Sequence, residues 1–140
     1  MRLLFFIFTV LFCFSPKRCL LAQVTPAIEW LHCYGGSQSD IFEHHGNSNI
    51  SQTHDGGYIF VGTTSSKNRN ISGNHGGSDA LVIKVNSVGS IQWQRCLGGS
   101  GNDAGYSIIE TRAGKFVMAG VTGSNDGDVI HNHGGTTGGL

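Results

Sequence analysis

An internal repeat constrains this chain more than any other feature. The segment Ile28-Glu29-Trp30-Leu31-His32-Cys33-Tyr34-Gly35-Gly36-Ser37 returns 63 residues later as Ile91-Gln92-Trp93-Gln94-Arg95-Cys96-Leu97-Gly98-Gly99-Ser100, and Asp40 returns as Asp103. Seven of these 13 aligned positions are identical. Further on the offset falls to 58. Ile50, Thr53, Gly56, Gly62 and Thr64 then match Ile108, Thr111, Gly114, Gly120 and Thr122, and Asn74-His75-Gly76-Gly77 matches Asn132-His133-Gly134-Gly135. The first copy carries about five extra residues around Glu43-His44-His45. A fixed period of this length is the signature of stacked supersecondary units.

Each period reads as four short strands. Residues 49–53 form the first, and His54-Asp55-Gly56-Gly57 turns the chain, because Asp and Gly accept the left-handed backbone of a tight hairpin. Tyr58-Ile59-Phe60-Val61 is the second strand, aromatic and β-branched. A polar, Gly-rich loop follows over 63–79. Residues 80–85 are nearly all apolar and predict a third strand buried on both faces. Ser87-Val88-Gly89-Ser90 turns the chain into the fourth, 91–97, where Ile91 and Trp93 alternate with Gln92 and Gln94. No helical period of useful length appears after the first 22 residues. The expected fold is therefore all-β, with about two tandem four-stranded antiparallel repeats resembling β-propeller blades in an incomplete ring. Leu140 aligns with Val82, inside a third strand. The expectation is an N-terminal piece of a longer protein, its missing blades supplied by the same chain or by self-association.

The glycines mark a seam. All 22 lie after residue 34. Before them, Arg2 precedes an apolar run over 3–14 broken only by Thr9. At 12 residues it is too short for a transmembrane helix, which needs about 20, and it suits the core of a signal peptide cleaved after Ala22. The organisation expected is thus 1–22 signal peptide, 23–90 first repeat with its N-terminal strand, and 91–140 second repeat, truncated. The chain is then exported, secreted or held at the outer cell surface, with no membrane span after signal removal. Six basic and nine acidic residues leave the remainder at about −3, which offers no basic face for nucleic acid. Of four cysteines, Cys13 and Cys19 leave with the signal. Cys33 and Cys96 stay at equivalent positions one repeat apart, too far for a disulfide, and are expected as small buried thiols.

The repeats resemble those of exported multi-repeat proteins of Bacteroidetes type, which often carry a C-terminal sorting domain for type IX secretion. The family pattern I-Q-W-Q-K-[CS]-L-G-G-S, T-x-D-G-G-Y-I-V-A-G and S-G-N-H-G-G-S-D is matched at 28–40, 49–62 and 72–79, and again at 91–103, 107–120 and 122–135. The resemblance implies a propeller-like exported protein without an agreed activity. Ala113 and Lys115 depart from it, replacing Asp and Gly in the second hairpin.

The candidate residues read as structural. Thr53-His54-Asp55-Gly56-Gly57-Tyr58 resembles the Asp-box of sialidase-like propellers, where the Asp caps a hairpin; Asp55, Gly56 and Gly57 are assigned that role. Asp40 and Asp103 follow Gly-Gly-Ser at a repeated place and are expected to brace loops, since catalysis needs one carboxyl pair with separated pKa values. Asn125-Asp126-Gly127-Asp128 is a calcium candidate, its oxygens clustered but short of an EF-hand spacing. Calcium, through Asp126 and Asp128, is the only cofactor suggested. His75 and His133 fall at the same repeat position, with no zinc spacing around them, and shape the loop before the third strand. Trp30 and Trp93 occupy equivalent strand positions, and the alternation with Gln92 and Gln94 makes Trp93 an expected core residue. No nucleophile elbow or phosphate loop appears.

Three functions follow as expectations. The first is a non-catalytic exported scaffold that binds a surface partner or polysaccharide through its loops. The second is a propeller-type glycan hydrolase whose catalytic residues lie outside this chain. The third is a calcium-organised surface module.

Overall fold

The β-branched and aromatic run at Tyr58 and the apolar run after Asp79 become the two central strands of an antiparallel sheet. The structure, a computed structural model, describes residues 26–42 and 49–134. The signal segment, its cleavage point, Cys13, Cys19, the centre of the insertion and Leu140 lie outside the described residues. The first sheet contains β1 (Asp40–Ile41), β2 (Ile50–Gln52), β3 (Tyr58–Thr64), β4 (Asp79–Val85) and β5 (Ile91–Leu97). A separate hairpin contains β6 (Asp103–Glu110) and β7 (Phe116–Thr122). The protein is all-β, its strand pairs are antiparallel, and no helix occurs among the described residues. No helix of these residues is therefore long and apolar enough to cross a membrane.

The first sheet is a meander whose first strand is interrupted. Both β1 and β2 pair with β3, Asp40 opposite Thr64 and Gln52 opposite Tyr58. The insertion noted in the sequence falls between them. In the second copy β6 is one strand, with a register shift between Gly105 and Ser107, Asp103 opposite Thr122 and Glu110 opposite Phe116. β5, whose residues open the second copy of the sequence pattern, hydrogen-bonds to β4 and so completes the first sheet.

Apolar layers cover both faces of this sheet, because period-2 alternation sends neighbouring side chains to opposite sides. Phe60, Leu81, Ile83 and Val85 form one cluster, covered by Trp30, Tyr34 and Phe42 from the segment before β2. Ile59, Val61 and Val82 form the other, closed by Ile108 of β6 with Phe116 and Met118 of β7. All seven residues of β4 are buried. Each such aliphatic side chain contributes about 1.5–3 kcal/mol relative to exposure. The approach of the hairpin to the sheet depends on Gly105, since a Cβ there would overlap Val61 Cγ2.

Two expectations are corrected. Cys33 is exposed, whereas Cys96 is buried. Residues 28–34 lie across the face of the sheet, with Trp30 and Tyr34 packed on it, so the alternate positions Leu31 and Cys33 face outward. Trp93 is not a core residue: it is 36% exposed. It sits on β5, at the edge of the sheet, and is covered on one side by Phe116, 5.7 Å away between ring centres.

Candidate functional site

The strand registers give the molecule two unlike ends. Short turns at 53–57, 86–90 and 111–115 gather at one end. Polar loops at 35–39, 65–78, 98–102 and 123–134, the second and fourth of them long, gather at the other. The second end carries the repeated acids.

Asp40 ties its loops together with both carboxylate oxygens. Oδ2 accepts the Gly36 N–H at 2.7 Å and the Ser66 hydroxyl at 3.0 Å, while Oδ1 accepts the Thr64 hydroxyl at 2.5 Å. Thr64 Oγ1 in turn accepts the Ser66 N–H at 3.0 Å, and Ser66 Oγ accepts the Gln38 N–H at 2.9 Å. Asp103 makes the same bonds. Its Oδ2 accepts the Gly99 N–H at 2.9 Å and the Ser124 hydroxyl at 2.7 Å, and its Oδ1 accepts the Thr122 hydroxyl. Thr122 Oγ1 accepts the Ser124 N–H at 3.1 Å, and Ser124 Oγ accepts the Gly101 N–H at 2.9 Å. Asn74 and Asn132 reach back to the Thr64 and Thr122 carbonyls in the same manner. Burial raises the Asp103 pKa, but the bonds from Thr122, Ser124, Gly99 and Gly123 outweigh it and hold the carboxyl below its usual range.

Asp126 and Asp128, the calcium candidates, face the protein's own backbone. Asp126 Oδ1 accepts the Ser100 N–H at 2.7 Å, as Asn68 Oδ1 accepts that of Ser37 at 2.9 Å. The Ser100 bond keeps the Asp126 carboxyl below its ordinary range. Asp128 Oδ2 accepts the Gly98 N–H at 3.3 Å. Among the described residues no three His, Cys, Asp or Glu side chains converge as metal ligands would.

The two repeated histidines differ. His75 Nδ1 lies 2.8 Å from Asp79 Oδ2, which also accepts the His75 N–H at 3.1 Å. The other Asp79 oxygen, Oδ1, is buried with no hydrogen-bond partner among the described residues. His133 is exposed, and the residue matching Asp79 in its copy is Thr137. These histidines are not brought together.

At the turn end Asp55 accepts the Thr53 hydroxyl at 2.5 Å and the Gly57 N–H at 3.0 Å. Gly56 closes the turn through its N–H to the Thr53 carbonyl at 2.9 Å. The second turn keeps that bond, Gly114 to Thr111, without an Asp; there the Thr111 hydroxyl accepts the Lys115 N–H at 3.1 Å. Lys84 was not singled out from the sequence, yet its ammonium binds both oxygens of Asp55. The signal was available: it is the one charge in an otherwise apolar run, and a buried lysine needs a partner. Its ammonium, with Thr53 and Gly57, holds the Asp55 carboxyl far below the usual range.

The N-terminal segment grips the β4–β5 turn. Trp30 Nε1 donates to the Ser87 carbonyl at 3.0 Å, the Tyr34 hydroxyl donates to that of Gly89 at 2.5 Å, and His32 Nε2 lies 3.2 Å from that of Val88. Gly89 has a φ of +80°, and a Cβ there would strike the His32 and Trp30 rings. Trp93, Arg95 and Leu97, the equivalents of these three residues, instead line a cleft of about 660 Å³ against Phe116 and Met118.

No family model, curated protein or solved structure matches this chain.

Proposed function

We propose that this chain is part of an exported, non-catalytic repeat scaffold of stacked β-propeller-like blades, which binds a surface partner or glycan through its polar loop end. The observation that carries this reading is the Asp-centred bracing made twice, at Asp40 and at Asp103. A repeated acid whose oxygens are spent on loop N–H groups and hydroxyls supports rigid loop presentation. A hydrolase would set two carboxyls of unlike pKa across a substrate. The stacking of one sheet on the next hairpin through Ile59, Val61 and Ile108 supports a blade-like arrangement, in which each unit buries the face of its neighbour.

The test is binding of the purified protein to a panel of polysaccharides and to the surface of its own cells. Loop variants Lys67→Ala and Arg69→Ala, both at exposed positions, should reduce binding with the melting temperature unchanged. Cleavage of any of those polysaccharides by the protein would overturn the non-catalytic reading, and binding unaffected by the loop variants would overturn the site.

A further inference from the structure

The cleft beside Trp93 has a covered counterpart within the same molecule. Trp30 packs on a cluster that includes Leu81, Ile83 and Val85 of β4, and its ring lies 5.9 Å from Tyr58. Trp93 lies 5.7 Å from Phe116, and Phe116 is the repeat equivalent of Tyr58. The aromatic contact is thus made in both copies. What covers Trp30 is β4 and the turn after it, with Ser87 and Val88 presenting carbonyls to Trp30 and His32. Nothing of that kind covers Trp93 among the described residues. β3 has β4 on one side, whereas among the described residues β7 pairs with β6 alone, and its other edge presents a row of backbone donors and acceptors. Arg95 stands where His32 stands in the first copy and lines the same cleft.

We infer that this cleft receives a further copy of the protein's own β4-type strand. That strand adds antiparallel to the free edge of β7 and lays alternate aliphatic side chains on Trp93 and Leu97. The turn that follows it offers carbonyls to the Trp93 indole N–H and the Arg95 guanidinium. Backbone pairing supplies the affinity, and the side-chain alternation and the turn supply the specificity. Leu97 in place of Tyr34 forfeits one of the three turn bonds, so the grip on the turn passes to Arg95. This inference rests on the stacked-repeat part of the proposed function and is independent of glycan binding at the loops.

The chain has two tryptophans, so full-length protein labelled with 5-fluorotryptophan gives one fluorine resonance for each. The probe is a synthetic peptide of residues 78–90, compared with the same peptide carrying Leu81→Ser, Ile83→Ser and Val85→Ser. The expected result is a saturable shift of the Trp93 resonance by the native peptide alone, with Trp30 unmoved. Arg95→Ala should weaken binding about tenfold or more, the scale of one hydrogen bond to a charged donor. Acrylamide quenching checks the starting arrangement. Trp30 shielded and Trp93 unresponsive to saturating peptide would overturn the docking alone. Trp30 and Trp93 equally open to the quencher would overturn the stacked-repeat reading as well. An equal response to both peptides would overturn the strand specificity on which the inference depends.

Discussion

Lys84 sets its ammonium against both carboxylate oxygens of Asp55, at 3.0 and 2.9 Å, while its own side chain is buried in the first sheet. It also donates to the Val85 carbonyl and to Gln92 Oε1, at 3.0 and 2.8 Å. One ammonium therefore joins the first hairpin turn to the far edge strand. Removing Asp55 leaves a buried cation without its counter-charge, which costs more than removing both partners. Asp55→Ala should lower the melting temperature by several degrees, and adding Lys84→Met should restore most of the loss. Thermal unfolding followed by circular dichroism decides this; a double variant no better than the single would argue against the coupling.

Acid should destabilise the fold through Asp55 and Asp103. Both carboxyls are held below their ordinary range in the folded protein, Asp55 by Lys84 and Asp103 by hydrogen bonds that outweigh its burial. The unfolded chain therefore binds protons first as pH falls. Their stabilisation is full above the unfolded pKa of about 4 and drains away as pH falls toward the folded values. Urea midpoints should be level near neutrality and fall steadily below about pH 4. Asp55→Asn should flatten that slope.

Gly105 is where the hairpin comes closest to the sheet. An added methyl would overlap Val61 Cγ2, with Ala80 Cβ at 3.4 Å behind it. Gly105→Ala should cost about 1–3 kcal/mol, the usual penalty of overpacking a filled interior. Chemical denaturation measures it, and an unchanged midpoint would mean that the two layers are not in contact there.

The cysteines should differ in reactivity. Burial, with Asp79 and Asp40 nearby, pushes the Cys96 thiol up to about 11, whereas Cys33 is exposed. At mildly alkaline pH, iodoacetamide should label Cys33 and modify Cys96 about a hundredfold more slowly, because only the thiolate attacks. Peptide mass spectrometry resolves the two sites, and equal rates would show that the cover over Cys96 opens readily.

Glu110 links the hairpin to the turn of the neighbouring sheet. Its Oε2 accepts the His54 N–H at 2.8 Å and lies 3.2 Å from His54 Nδ1. Glu110→Ala should speed exchange of the His54 amide while amides within β3 and β4 stay protected. Unchanged His54 exchange would mean that this bond does not restrain the turn.

The strands were legible because their signals are local. Aromatic and β-branched runs bounded by Asp-Gly and Ser-Val-Gly turns placed β3, β4 and β5 to within a few residues, and the long apolar run marked β4 as buried on both faces. The twofold recurrence of Asp40 at Asp103 singled out the two acids. Their hydroxyl partners, Thr64 with Ser66 and Thr122 with Ser124, recur at an offset of 58 where the acids recur at 63, and were not paired with them. A hydrogen bond across 24 residues leaves no trace in local periodicity.

The sequence by itself determined the all-β character, the alternation within each strand and the turn positions, since backbone propensity and side-chain period act over a few residues. Tertiary structure alone decided the rest. Trp30 and Trp93 share a sequence context, yet one is packed beneath a neighbouring turn and the other lies beside an open cleft. Cys33 and Cys96 likewise part ways, one on a segment laid over a sheet and the other within it. Burial is a property of what arrives from elsewhere in the chain, and two matching motifs differ as soon as their neighbours do.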